Sequence, residues 1–425
     1  MAGLLPVDEV IETLLDKAVP ITETEIVPLR EASGRILAGA ITAAVNVPPH
    51  DNSAMDGYVF DATDPDIVVG GIYTVSDRIP AGQVGQALVP GTLARIFTGA
   101  PIPPGANAVV IQEDTIGHGD RIEITERPSV GANVRPKGQD IARGSELLTR
   151  GKVLLPQDLG LLASTGIDKV EVFRKLKIAI MSTGDELVEA PGLPGPGQIY
   201  NSNHFTLAAM IEAMGMEVVD LGLVADSQEA TVEALLKGAE TSDCVVSSGG
   251  VSVGEEDHVK AAVEALGSLD LWKVAIKPGK PLAFGTIQNK RPVSKKDPQK
   301  LHNETTQTLQ TKQVPFFGLP GNPVSSFVTF TVIAKPYLLK YQGCSETSNL
   351  SYEAMSRFAF KAGGRREYVR VKVSNDVSSG GAIVDLFDGQ GSGVMSSVSW
   401  ANALAEIEAN AVVVPGDRVK IHPLR

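Results

Sequence analysis

The stretch DCVVSSGGVSVGEEDHVKAAVEALG, Asp243 to Gly267, carries the reading of the fold. A β-branched run ends at Ser247 and Ser248, breaks at Gly249 and Gly250, passes the acids Glu255, Glu256 and Asp257, and takes up helical periodicity from His258. A buried strand, a glycine loop and a helix in direct succession form the repeating unit of a parallel α/β sheet. The same alternation is written upstream in KIAIMS (Lys177–Ser182), SNHFTLAAMIEAMG (Ser202–Gly215), EVVDLGLV (Glu217–Val224) and TVEALLKGAE (Thr231–Glu240). An α/β domain with a mostly parallel sheet is expected over residues 175–340. Inside it, Gln288 to Gln313 lacks apolar periodicity and reads as a polar, solvated insertion, with partner docking as its other reading.

On the amino-terminal side, Val7, Val10, Ile11, Leu14 and Leu15 recur at helical spacing, so a helix is expected to end before Pro20, with a second short one around Arg30 to Leu37. Short runs punctuated by Pro and Gly then predict a β-rich domain over 45–140. A further helix opens at Pro156 and stops at Gly166, and residues 141–174 are expected to rejoin 1–44 as one helical subdomain. YVRVKVS, AIVDLF and DRVKIHPL predict a closing β-barrel-like module over 345–425.

Composition narrows the function. The chain of 425 residues has a formal charge of −12 and no basic-aromatic segment, which excludes nucleic acid and anionic membranes as partners. Two cysteines, Cys244 and Cys344, are too few for a disulfide framework or a cysteine metal cluster, and Cys244 sits in an apolar run as packing. No signal-peptide pattern and no spanning apolar run occurs, so a cytoplasmic protein is expected.

Three strand ends share one texture: Ser182, Thr183, Gly184 and Asp185; Ser248, Gly249, Gly250 and Ser252; Pro320, Gly321, Asn322 and Pro323. Ligands of open parallel sheets collect at such ends, and glycine N–H groups, hydroxyls and helix N-termini suit a phosphate-bearing anion. For each loop alone, an ordinary turn is the competing reading. Carboxylates beside them, at Glu186, Asp226 and Asp257, would repel such a ligand unless Mg²⁺ lies between. Glu255 and Glu256 read better as acids complementing a helix N-terminus. Lys277 and Lys280 flank a Pro-Gly turn and can grip a dianion, while GGRREYVR, Gly363 to Arg370, adds arginines suited to oxyanions or to a solvated strand edge. The β-rich half repeats the theme with Asp56 before Gly57, and with Arg135, Lys137 and Asp140 in one glycine loop.

DNSAMDGY (Asp51–Tyr58), TGAPIPPGANAVV (Thr98–Val110), STGDEL (Ser182–Leu187), SSGGVSVGEED (Ser247–Asp257), IKPGKP (Ile276–Pro281), GLPGNPVSS (Gly318–Ser326) and GRREYVR (Gly364–Arg370) occur in this order. Taken together they make the chain resemble, over nearly its whole length, the molybdopterin molybdenumtransferases, the MoeA family related to the carboxyl-terminal half of gephyrin. The resemblance implies an elongated homodimer of four-subdomain chains. It implies insertion of molybdenum from molybdate into adenylylated molybdopterin, with Mg²⁺-assisted adenylate cleavage and AMP release. It assigns the three strand-end loops to the pterin phosphate ligand, and Lys277, Lys280, Arg366 and Ser396 to molybdate. Asp56, Thr98, Arg135, Asp140, Glu186, Asp226 and Asp257 match the family's acidic and polar active-site positions, Asp56 and its neighbours facing the pocket of the other protomer. A molybdopterin adenylyltransferase and recipient molybdoenzymes are the further partners it implies. Neither cysteine matches a family motif, so the sulfur that binds molybdenum belongs to the cofactor's dithiolene.

Two other classes remain open on the residues alone. A gephyrin-like anchoring scaffold would bind a receptor segment through its terminal module. A noncatalytic pterin or nucleotide carrier would use only the α/β pocket, and would tolerate alanine at Asp56 and Asp140.

Overall fold

A computed structural model describes residues 3–250, 258–289, 312–376 and 381–424. Ser252, Glu255, Glu256, Asp257 and residues 290–311 of the polar insertion lie outside them. The α/β domain is built on a six-stranded sheet in the order Glu217–Val224, Lys177–Thr183, Cys244–Ser248, Lys312–Leu319, Pro281–Asn289, Gly267–Lys273. The first four strands run parallel, Pro281–Asn289 runs antiparallel to both its neighbours, and Gly267–Lys273 again runs with the first four, matching the mostly parallel sheet expected. All five residues of Cys244–Ser248 are buried, because helices cover both faces of a parallel sheet and leave no polar alternation. The chain leaves Lys177–Thr183 toward one edge and returns on its other side at Cys244–Ser248. That reversal opens the crevice where such sheets bind ligands, and Ser182 pairs with Ser248 at its floor.

The opposite end of the sheet is fastened by Asp243. Its carboxylate accepts from Arg174 Nη1 and Nη2 at 2.6 and 2.9 Å, from the Lys177 N–H at 2.9 Å and from Lys312 Nζ at 3.3 Å. One buried acid thus ties together the starts of three neighbouring strands.

The helix Val7–Lys17 forms as its spacing predicts. Its buried Val7, Val10 and Leu14 join the core of the α/β domain beside Ile178, Ile333 and Leu338, each contributing on the order of 1.5–3 kcal/mol. The same core takes in Ile36 and Phe173 from the stretches expected to group with this helix, so its amphipathic stripe records that a face is buried but not everything that covers it. The helix expected at Arg30 to Leu37 is only a 3₁₀ turn, Leu29–Glu31. The chain turns instead at Gly34, with φ of 76°, and Leu37 bridges to Val172. Thr24–Pro28 pairs with Lys169–Phe173 over a core that includes Val27, Leu37, Leu148, Leu162 and Val172. The helix Pro156–Ser164 belongs to this unit and is followed by Gly166.

The β-rich domain holds a six-stranded sheet running Ala108–Ile111, Gly57–Phe60, Leu93–Ile96, Ile72–Ile79, Arg121–Ile124, Thr115–His118. In the terminal module, Arg366–Asp376, Gly381–Leu386, Tyr352–Ser356, Arg418–Pro423 and Ala403–Ile407 pair in a ring, a closed five-stranded barrel. The short strand Ile276–Lys277 adds in parallel to Arg366–Asp376, so the lysine turn of the α/β domain is hydrogen-bonded to the barrel. No helix among the described residues is long and apolar enough to cross a membrane.

Candidate active site

A cavity of about 1110 Å³ opens at the carboxyl ends of the parallel strands and reaches the barrel. Its wall includes Thr183, Gly184 and Glu186 from the first loop, Ser248, Gly249 and Gly250 from the second, and Pro320 to Pro323 from the third. Asp226, Lys277 and Lys280 complete the set that the sequence brings here. The loops converge because their strands are neighbours in one parallel sheet. Gly250 shows what the second loop requires: its φ is +66°, and a Cβ there would lie 2.3 Å from Val259 Cγ2. Only glycine lets the backbone pass so close to the following helix.

Ser182 and Ser248 are both buried, and their hydroxyls bond each other at 3.1 Å. Ser248 reaches the cavity wall while Ser182 supports it from below. Of the adjacent acids Asp185 and Glu186, Glu186 alone lines the cavity. Its carboxylate folds back over Gly184, where an added Cβ would meet Oε2 at 2.5 Å. Among the described residues no cluster of three or more His, Cys, Asp or Glu forms a metal cage. Glu186 and Asp226 are the two carboxylates on the cavity wall, and one or two protein carboxylates are what a Mg²⁺ shared with ligand phosphates would need.

The cationic side has a definite build. Lys277 Nζ sits 3.1 and 3.0 Å from the carboxylate oxygens of Glu367, which is 3% exposed and also accepts the Gly363 N–H. That pair fixes Lys277 but spends part of its charge. The turn rests on Gly279, with φ of +111°; a Cβ there would lie 2.3 Å from the buried Thr329 Oγ1. Gly279→Ala should lower the melting temperature through an overpacking cost of about 1–3 kcal/mol and impair turnover by displacing both lysines. A variant that melts and turns over like the parent would contradict this role for the turn.

Two of the residues expected to hold molybdate, Arg366 and Ser396, do not line this cavity. Arg366 is held by Asp8 in a two-pronged pair at 2.8 and 2.9 Å and also meets Glu408, so its guanidinium ties the barrel to the first helix. Its neighbour Arg365 lines the cavity, steadied by a bond from Nη1 to the Ile276 carbonyl at 2.9 Å. Arg366 opens the strand Arg366–Asp376 while Arg365 lies in the bend before it, and the two guanidiniums reach different surroundings. Ser396 is exposed on the helix Met395–Trp400, whereas Ser392, four positions earlier, lines the cavity with Gln390 and Gly391. Asn203 is a further wall residue the sequence reading missed; its Nδ2 donates to the Gly321 carbonyl at 2.8 Å and braces the third loop. A signal existed for Asn203, in its place at the start of a helix following a strand. Ser392 offered none.

Asp56, Thr98, Arg135 and Asp140 do not line the cavity of their own chain. They lie on connected loops of the β-rich domain: the Ser53 N–H meets the Ala100 carbonyl, Arg135 pairs with Asn52, and the Asp140 N–H reaches Val47. Thr98 donates its N–H and its hydroxyl to Asp56 Oδ1, each at 2.8 Å. These two bonds, the backbone one first, hold the Asp56 carboxyl below the usual carboxylate range. Cys244 is fully buried, and burial pushes its thiol well up, so it is a protonated packing residue.

Models described as the MoeA N-terminal region (domain I and II), a probable molybdopterin binding domain and the MoeA C-terminal region (domain IV) match residues 5–166, 179–340 and 354–424. The chain is 36% identical to a molybdopterin molybdenumtransferase of Haemophilus influenzae, over 99% of this chain and 98% of that one. It is 32% identical to a gephyrin of Dictyostelium discoideum, over 82% of this chain and 51% of that one. A crystal structure of the molybdopterin biosynthesis moeA protein of Pyrococcus horikoshii matches with a TM-score of 0.81 at 30% identity, covering 99% of this chain and all of that one.

Proposed function

The chain belongs to the molybdopterin molybdenumtransferases of the MoeA family, an enzyme of molybdenum cofactor biosynthesis, and from that premise we propose how its cavity inserts molybdenum. The substrates are molybdate and adenylylated molybdopterin, the products AMP and the molybdenum-loaded pterin. The observation that carries this reading is the convergence of three glycine-bearing strand ends and three cationic side chains on one cavity.

The glycine loops hold the phosphate-bearing ligand through backbone N–H groups, with Ser248 and Thr183 adding hydroxyls. Lys280 and Arg365 hold the molybdate dianion, Lys277 contributes what Glu367 leaves of its charge, and Ser392 offers one hydroxyl. Arg365 and Ser392 thereby take the roles the sequence reading gave to Arg366 and Ser396. Glu186 and Asp226 would hold Mg²⁺, and Asp257 is a third carboxylate proposed from sequence alone. Bound there, the ion would supply charge neutralisation of the phosphate oxygens at the anhydride. What the protein supplies is positioning: it keeps an oxyanion close to an anionic ligand without letting the two repel each other apart.

Asp56, Thr98, Arg135 and Asp140 complete the site from a second protomer in this reading, which makes the active unit a cytoplasmic homodimer. Support for this comes from their clustering away from the cavity of their own chain. Mixing Asp56→Ala subunits with Glu186→Ala subunits tests it, because a heterodimer then regenerates one intact site. Recovery of cofactor synthesis on mixing is expected. A mixture as inactive as either parent, with exchange of subunits verified, would place all the residues in one chain's site.

A further inference from the structure

Among the described residues Arg370 is the largest fully buried side chain, at 1% exposure. Its guanidinium finds no carboxylate to bond among the described residues. Instead Nε donates to Ser397 Oγ at 3.0 Å, Nη1 to the Tyr368 carbonyl at 3.3 Å, and Nη2 to the Gly391 carbonyl at 3.2 Å. Its backbone is gripped as well: the N–H donates to Gln390 Oε1 at 2.9 Å, and Gln390 Nε2 donates to its carbonyl at 3.0 Å. A buried guanidinium is costly unless its donors are satisfied, so these bonds hold firmly. Every one beyond Tyr368 reaches the segment 390–397, which has almost no regular structure before Met395. Gln390, Gly391 and Ser392 of that segment line the cavity, and the Ser392 carbonyl accepts from the Val324 N–H at 3.0 Å, closing the link to the third loop.

We propose that Arg370 is a positioning residue of the oxyanion subsite, acting through the segment 390–392 to set Ser392 opposite Arg365. This rests on the reading of the cavity given above. Arg370 touches no substrate; its effect is on the place of a neighbour that does. Loss of its fork should weaken molybdate binding while sparing the ligand held by the glycine loops.

The test uses full-length Arg370→Lys, which keeps the charge, loses the fork and leaves the Ser397 bond to the Val394 carbonyl in place, and Ser397→Ala, which removes the acceptor of Nε together with that bond. For Arg370→Lys the molybdate KM should rise about tenfold, the size of one charge-assisted hydrogen bond, with affinity for adenylylated molybdopterin held to about twofold. Amide exchange over residues 387–394 should quicken in both variants. Joined to Ser392→Ala, Arg370→Lys should add little to the loss of Ser392→Ala alone, since both act on one contact. Unchanged exchange over that segment would overturn the proposal, as would losses that multiply in full in the double variant. A parent protein showing no molybdate dependence would sink the functional reading instead, and the exchange measurement would still decide whether Arg370 holds the segment.

Discussion

Alanine at both Lys280 and Arg365 is expected to lower kcat/KM for molybdate on the order of a thousandfold, from two charge-assisted hydrogen bonds of about 1.5–3 kcal/mol each. These two are chosen over Lys277 because the carboxylate of Glu367 lies 3.0 Å from the Lys277 ammonium and already offsets it. The described residues give Lys280 no carboxylate partner, and Arg365 is anchored through a neutral carbonyl, so both present nearly full charge to the cavity. The adenylylated ligand should bind the double variant with much smaller loss, because the glycine loops are untouched. Titrating molybdate at saturating adenylylated molybdopterin separates the two effects. A loss below about tenfold would mean that the oxyanion is held elsewhere.

Asp243→Ala should cost about 3–5 kcal/mol of stability, the range for breaking a buried ion pair from one side. Asp243 is 4% exposed, and its removal leaves the Lys177 N–H without its acceptor and the part-exposed Arg174 with only Glu23 and the Lys175 carbonyl at the base of the sheet. Burial alone would raise its pKa, but the bonds from Arg174 and Lys177 and the charge of Lys312 outweigh that and leave it lowered. A carboxylate with a lowered folded pKa contributes stability that is present above the unfolded value and lost as pH falls through the folded one. The parent should therefore lose stability on acidification below the ordinary carboxylate range, and the variant should lose less. Calorimetry across pH reads both effects. A variant within about 1 kcal/mol of the parent at neutral pH would show that solvent screens these pairs.

The fold was legible wherever local pattern and burial coincide. Continuous apolar runs between helical stretches announced the parallel sheet, because a strand covered on both faces cannot alternate. The first helix was legible as a helix but not in its partner, since Val7, Val10 and Leu14 would look the same against any core. In the site, the glycine loops could be read because their backbone requirements restrict residue choice. The choice between Arg365 and Arg366 could not, because it depends on a register: Ile276 pairs with Arg366, and Lys277 with Glu367. Ser392, in a turn on the cavity wall, and Ser396, exposed on the next helix, are told apart only by how the segment lies against the α/β domain, a tertiary effect with no local trace. Asp185 and Glu186 were separable only by which one the turn at Gly184 aims at the cavity.

The most direct measurement is AMP release from purified protein given adenylylated molybdopterin and Mg²⁺, with and without molybdate, followed by activation of an apo-molybdoenzyme with the product. Molybdate-dependent AMP release that yields active molybdoenzyme is the predicted result. Tight binding of adenylylated molybdopterin with neither AMP nor cofactor formed would contradict it and leave the chain a carrier.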